Sequence, residues 1–118
     1  MLLNKDGGII DDSVICISGK TEANLVVNGT NKSIVLEYLQ TINSAGKFGV
    51  HIELEQDLGL IALQGPKSSE ILDKLFKESD AGILSEEVPF MGQFVGKCFG
   101  WREEYRVSRS GYTGEDGF

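Results

Sequence analysis

The chain has 118 residues, 15 of them glycine, and a formal net charge of -7 at pH 7. Its length suits one ordinary domain, and 41% hydrophobic residues suffice for a packed core rather than a disordered chain. Eighteen acidic residues against eleven basic ones give a surface that repels phosphates, which excludes nucleic acid and anionic lipid as main partners.

No apolar run approaches the roughly 20 residues that span a bilayer, and the first eight residues lack a signal-peptide pattern. No membrane association is therefore expected. Cys16 and Cys98 are too few to staple a secreted domain and read as reduced thiols. The single histidine, His51, cannot build a zinc site even with both cysteines. The composition points to a soluble, acidic, intracellular module.

In chain order, the β-branched residues Ile9, Ile10, Val14, Ile15 and Ile17 predict a strand or strand pair, fed by an NKDGG turn. Leu25, Val26 and Val27 predict a second short strand. Val35, Tyr38, Leu39 and Ile42 then recur at helical spacing, with Thr30 or Asn31 as cap and Gly46 as terminator. Residues 48–54 alternate apolar and polar and predict a third strand, with His51 on its polar side.

The second half begins afresh. Residues 58–63 form an apolar run that predicts a strand ending at Gln64-Gly65-Pro66, with Pro66 suited to the first helical position. Ile71, Leu72, Leu75 and Phe76 make one helical stripe, and Glu70–Lys74 and Asp73–Lys77 are i,i+4 pairs. After an Asp80-Ala81-Gly82 break come expected strands at 88–93, 94–99 and 104–107. The order of elements is two successive ββαβ-like pieces. The expected class is α+β, with mixed or antiparallel sheets and helices on one face.

Four acidic doublets stand out: Asp11-Asp12, Glu86-Glu87, Glu103-Glu104 and Glu115-Asp116. Such pairs are usually solvated, but Asp11-Asp12 interrupts an apolar stretch. Neighbours in a strand point to opposite faces, so if this segment is extended one aspartate faces solvent and the other faces inward or into a cleft. There it must find a hydrogen-bond partner or a cation, or else take up a proton. Spacing does not say which, and a purely structural turn is the commoner outcome. The tail at 108–118 sets three glycines at three-residue spacing around Tyr112 and two acids. It is either a plain glycine-rich loop or a backbone held close to a flat ligand. A phosphate loop is excluded, because the acids would repel phosphate.

Four segments carry a resemblance: LLNKDGGIIDD at 2–12, LVVNGTNK at 25–32, IALQGPKSSEIL at 61–72 and SRSGYTGEDGF at 108–118. In this order and spacing they resemble the aminomethyltransferase family, the tetrahydrofolate-dependent T-proteins of glycine cleavage. The family chain is much longer, with three domains around a folate channel, and the resemblance covers only its middle. Residues 1–57 resemble part of its second domain, and residues 58–118 part of its first.

The resemblance implies a reaction, a site and a partner. The reaction is aminomethyl transfer from the lipoyl carrier H-protein to tetrahydrofolate, with release of ammonia and methylenetetrahydrofolate. Asp12 would be the catalytic residue beside the reactive end of the folate. Val26, Val27 and Asn28 would line the pocket, while Phe90, Met91 and Tyr112 would border the rings. No metal is required. The implied compartment is the mitochondrial matrix, or alternatively a bacterial cytoplasm.

Departures from the family matter too. The family follows GEDGF with a pterin-gripping glutamate, and the sequence here stops at Phe118. The 118 residues alone are therefore expected to be inactive and to bind folate poorly, with a tail that is mobile at its end. Two alternatives stand beside the transferase. One is a non-catalytic folate-binding or self-associating module, possible as a homodimer, and the other a folate domain of a dimethylglycine or sarcosine dehydrogenase.

Overall fold

The computed structural model describes residues 1–77, 85–96 and 105–118. It is an α+β chain that divides into two compact units, Met1–Leu58 and Gly59–Phe118. The sheets among the described residues are three two-stranded antiparallel pairs.

In the first unit, β1 (Leu2–Leu3) pairs with β2 (Ile9–Asp11) around the expected turn. Asn4 makes that turn: its Oδ1 accepts from the backbone N–H groups of Asp6 and Gly8, and Gly7 adopts a φ of 81°. β3 (Val14–Ile17) and β4 (Ala23–Val26) form a hairpin in which Val14 faces Val26 and Ile15 faces Leu25. The long helix α1 (Lys32–Gly46) follows, with Val35 buried. Its Tyr38 hydroxyl reaches the Leu3 carbonyl at 2.7 Å and ties the helix to β1.

Both expected helix caps need correction. Asn31 occupies the N-cap position but makes no side-chain cap bond. Its amide is spent on β2 instead, donating to the Ile10 carbonyl and to Asp11. At the other end Lys47, not Gly46, takes the left-handed conformation, with φ 52°. Lys47 N–H bonds to Ser44 and Phe48 N–H to Asn43, the paired bonds of a Schellman stop. Gly46 is needed for space, since a Cβ there would collide with the Phe48 ring.

The strand expected at 48–54 is absent. A ladder needs a partner edge, which alternation in one segment does not supply. The Asn43 side chain supplies a substitute by donating to the Val50 carbonyl and accepting from its N–H, at 2.7 and 3.1 Å. His51 lies exposed beside Glu53, at 3.7 Å.

The second unit is built on α2 (Ser68–Lys77). Leu72 and Phe76 face inward, forming a core with Phe118, against which Leu63, Phe94, Tyr105 and Val107 pack. Phe76 meets Phe94 edge-on at 5.1 Å and stacks on Tyr105 at 6.3 Å. Ile71, expected in the stripe, is exposed. Lys74 pairs with Glu70 as expected. Asp73 accepts from Ser85 N–H at 2.6 Å, at the start of a short 3-10 helix, Ser85–Glu87.

Three further expectations shift here. The apolar run at 58–63 is not a strand; Leu58, Leu60 and Ile61 are exposed, and pairing begins only at Leu63. Pro66 sits in the turn ahead of α2 rather than in its first position, and Ser68 N–H closes that turn on the Gly65 carbonyl at 2.9 Å. Residues 88–92 form a turn, closed by Gly92 N–H on the Pro89 carbonyl, and not a strand. β5 (Gln93–Gly96) and β6 (Tyr105–Ser108) then pair antiparallel. The Asp80-Ala81-Gly82 break, Cys98 and the Glu103-Glu104 doublet lie outside the described residues.

Candidate functional site

The two neighbouring aspartates have opposite fates. Asp11, at the end of β2, is 2% exposed and accepts from four donors. These are the Asn28 side chain at 2.8 Å, the Asn31 side chain at 2.8 Å, the Asn28 backbone N–H at 3.1 Å and the Ser13 hydroxyl at 3.1 Å. The donated bonds from Asn28 and then Asn31 outweigh desolvation and hold its carboxyl down at about 2. Asp11 is a structural anion.

Asp12 lies one residue on and faces solvent. Its Oδ1 accepts from the Asn28 side chain at 2.7 Å, and its Oδ2 has no partner among the described residues. A carboxylate with one oxygen fixed and the other open can accept a hydrogen bond from a ligand or face a developing positive charge. Val26, exposed at the end of β4, and half-buried Val27 lead directly into Asn28. The first unit thus brings Asp12, Asn28 and the end of β4 together around buried Asp11.

The second unit holds the other candidates on and beside the tail. The tail is anchored, contrary to the mobile end expected of it. Leu63 and Phe118 exchange backbone bonds at 2.8 Å in both directions, and Gly65 N–H reaches the Asp116 carbonyl. Ser110 N–H closes the loop onto the Gly117 carbonyl. Phe118 is buried in the core, and that burial fixes the terminus.

The Asp116 carboxylate is taken up by the fold. Arg109 grips it through Nε at 2.9 Å and a second guanidinium nitrogen at 2.7 Å, and the Ser69 hydroxyl adds a third bond. The Arg109 hydrogen bonds dominate and hold the Asp116 carboxyl at about 2. The remaining Arg109 nitrogen donates to the carbonyls of Ser85 and Val88, and the guanidinium lies 5.6 Å from the centre of the Phe118 ring. One arginine therefore ties the tail to the 3-10 turn.

The glycines of the tail also serve the chain itself. A Cβ on Gly111 would strike the Glu115 carbonyl, and one on Gly117 would strike the Gln64 side chain. Gln64 accepts from Tyr112 N–H at 3.2 Å, while the Tyr112 ring stays 75% exposed. Phe90 and Met91 are exposed on the preceding turn, where Met91 has φ 62° and bonds the Arg109 carbonyl at 2.7 Å. Arg109 and Gln64 were not singled out from the sequence as site residues, whereas Asp116 stood out only as half of an acidic doublet and Asn31 only as a helix cap. Their partners lie 7 to 54 residues away, and only the LVVNGTNK, IALQGPKSSEIL and SRSGYTGEDGF blocks pointed toward them.

The GCVT N-terminal domain family matches residues 1–118. The chain belongs to this family. It is 35% identical over 119 residues to an aminomethyltransferase of Stenotrophomonas maltophilia (strain R551-3), covering 99% of this chain and 30% of the relative. It is 35% identical to the aminomethyltransferase of Methylococcus capsulatus and 32% identical to that of Francisella tularensis, each over 117 residues. Those matches cover 99% of this chain and 29% and 30% of the relatives. The chain thus spans about 30% of the length of the curated relatives it matches. No solved structure matches it significantly. No helix among the described residues is long and apolar enough to cross a membrane.

Proposed function

We propose that this chain is the folate-facing part of an aminomethyltransferase that acts on the aminomethyl-lipoyl carrier H-protein of glycine cleavage. In the reaction, a methylene unit passes from the carrier sulfur to tetrahydrofolate, ammonia leaves, and the dihydrolipoyl carrier is released. The observation that carries the reading is Asp12, exposed and steadied by Asn28 in a chain whose relatives bear that name. Its carboxylate stabilises the positive charge that develops as the carbon–nitrogen bond breaks, and it accepts hydrogen bonds from the folate ring.

Val26 and Val27 supply apolar wall beside Asp12. Phe90, Met91 and Tyr112 offer exposed flat or flexible apolar surface for the rings. In this reading residues 1–57 belong to the second domain of the transferase and 58–118 to the first. The bacterial relatives favour a bacterial cytoplasm over the mitochondrial matrix. The relatives' names also favour transfer over a flavin-linked dehydrogenase.

The test is Asp12→Asn in the intact protein that carries this chain. Turnover should fall on the order of a hundredfold or more, while folate affinity changes far less. Wild-type turnover would remove Asp12 from the mechanism.

A second reading has one observation behind it. Val14, Ile15, Ile17 and Val26 of the β3–β4 hairpin are all exposed, which suits a self-associating, non-catalytic module. Light scattering separates the two: a monomer at high micromolar concentration disposes of the second.

A further inference from the structure

Asn28, read from the resemblance as pocket wall, uses its side chain on the two aspartates. Its Nδ2 donates to Asp11 Oδ1 at 2.8 Å and to Asp12 Oδ1 at 2.7 Å. Chemistry fixes this orientation, because turning the amide over would set its oxygen against two carboxylates with no proton to give. The Asn28 backbone N–H also donates to Asp11 Oδ2. Asp11 is itself held by Asn31 at the start of α1 and by Ser13. A continuous line of bonds therefore runs from the helix, through a buried anion and one amide, to an exposed carboxylate.

We propose that Asn28 is the positioning residue of the transfer reaction, tying the open carboxylate of Asp12 to the buried carboxylate of Asp11. This rests on Asp12 being the catalytic residue. An exposed aspartate on a loop samples several rotamers, and only some present an oxygen to the reacting group. The Asn28 bond selects one arrangement before substrate arrives, which is where preorganisation lowers a barrier. A second consequence follows for the ligand. Both Nδ2 protons are spent, so the Asn28 side chain offers a ligand only its carbonyl oxygen, and can accept from an N–H group but not donate.

The experiment is a double-mutant cycle on kcat and KM in the intact protein. Asn28→Ala should lower kcat on the order of tenfold to a hundredfold, with a smaller change in KM. In the Asp12→Asn background, Asn28→Ala should add little further loss, because it acts through the group already removed. Multiplying losses would overturn the positioning role and leave Asp12 in place. Undiminished turnover of Asp12→Asn alone would instead sink the functional reading beneath it.

Asn28→Ala also strips bonds from buried Asp11, so a measurement independent of that variant is needed. In ¹⁵N spectra, Asp12→Ala at its exposed position should move the Asn28 side-chain amide resonances and speed their exchange. Those of Asn31 should stay in place. An unmoved Asn28 side-chain signal would overturn the brace.

Discussion

Asp11 and Asp116 each anchor one of the two units, and they are held by different chemistry. Asp11 is surrounded by neutral donors, two asparagine amides, a hydroxyl and a backbone N–H. Asp116 is held by a guanidinium fork, at 2.7 and 2.9 Å. Both carboxyls are nonetheless held at about 2. Several well-aimed neutral dipoles can do for a buried anion what a cation does for a half-exposed one. The difference lies in what each leaves over: the amide brace continues outward to Asp12, whereas the ion pair ends in the fold.

The comparison breaks first where the two units rest on different cores. Phe76→Ala removes the ring that contacts Phe94 and Tyr105, and should destabilise the second unit by about 3–5 kcal/mol. Hydrogen exchange should show loss of protection confined to Gly59–Phe118. Equal loss in Met1–Leu58 would mean that the units fold as one.

Replacing Arg109 with Lys should loosen the tail next. A lysine cannot make the two-pronged contact with Asp116 and reach the Ser85 and Val88 carbonyls as well. Exchange at the Ser110 and Phe118 amides should speed up by on the order of tenfold. Unchanged exchange there would show that the backbone pairing with Leu63 is sufficient by itself.

Acid should act on both units in the same window. Both carboxyls have folded values near 2, below the roughly 3.9 of an unfolded aspartate. The stability they contribute is therefore complete above pH 4 and is lost as pH falls through about 2. A melting temperature steady to pH 4 and falling below it is expected from circular dichroism. Salt should then separate the units: 1 M NaCl screens the Arg109–Asp116 pair but leaves the amides on Asp11 unaffected. A first unit weakened as much as the second would contradict that contrast.

The smallest expected effect is a gain. Lys47 holds a left-handed conformation at the end of α1, so Lys47→Gly should stabilise the first unit by about 1 kcal/mol. A neutral or destabilising result would mean that the lysine stem contributes packing that offsets its strain.

What could be read in the sequence was local. The β-branched clusters, the NKDGG turn and the helical stripe around Val35 each declare themselves within a few residues, and they appear as β2, β3, the first turn and α1. The alternation at 48–54 looked equally clear and failed, because a strand exists only where another edge accepts it. The period of two told that, if the segment is extended, one of Asp11 and Asp12 faces solvent and the other faces inward or into a cleft. Choosing Asp11 required Asn28 and Asn31, 17 and 20 residues away. The Arg109–Asp116 fork was hidden for a related reason, since loop conformation and not spacing brings the two together.

The division of labour between neighbouring aspartates is the central claim, and paired isosteric variants test it most directly. Single-turnover rate and melting temperature would be measured for Asp11→Asn and Asp12→Asn in the intact protein. Asp12→Asn should keep its melting temperature and lose aminomethyl transfer. Asp11→Asn should melt earlier, since an NH₂ group would then point at donors that need an acceptor. An Asp12→Asn protein that transfers at the wild-type rate, or an Asp11→Asn protein that melts like wild type, would contradict the account.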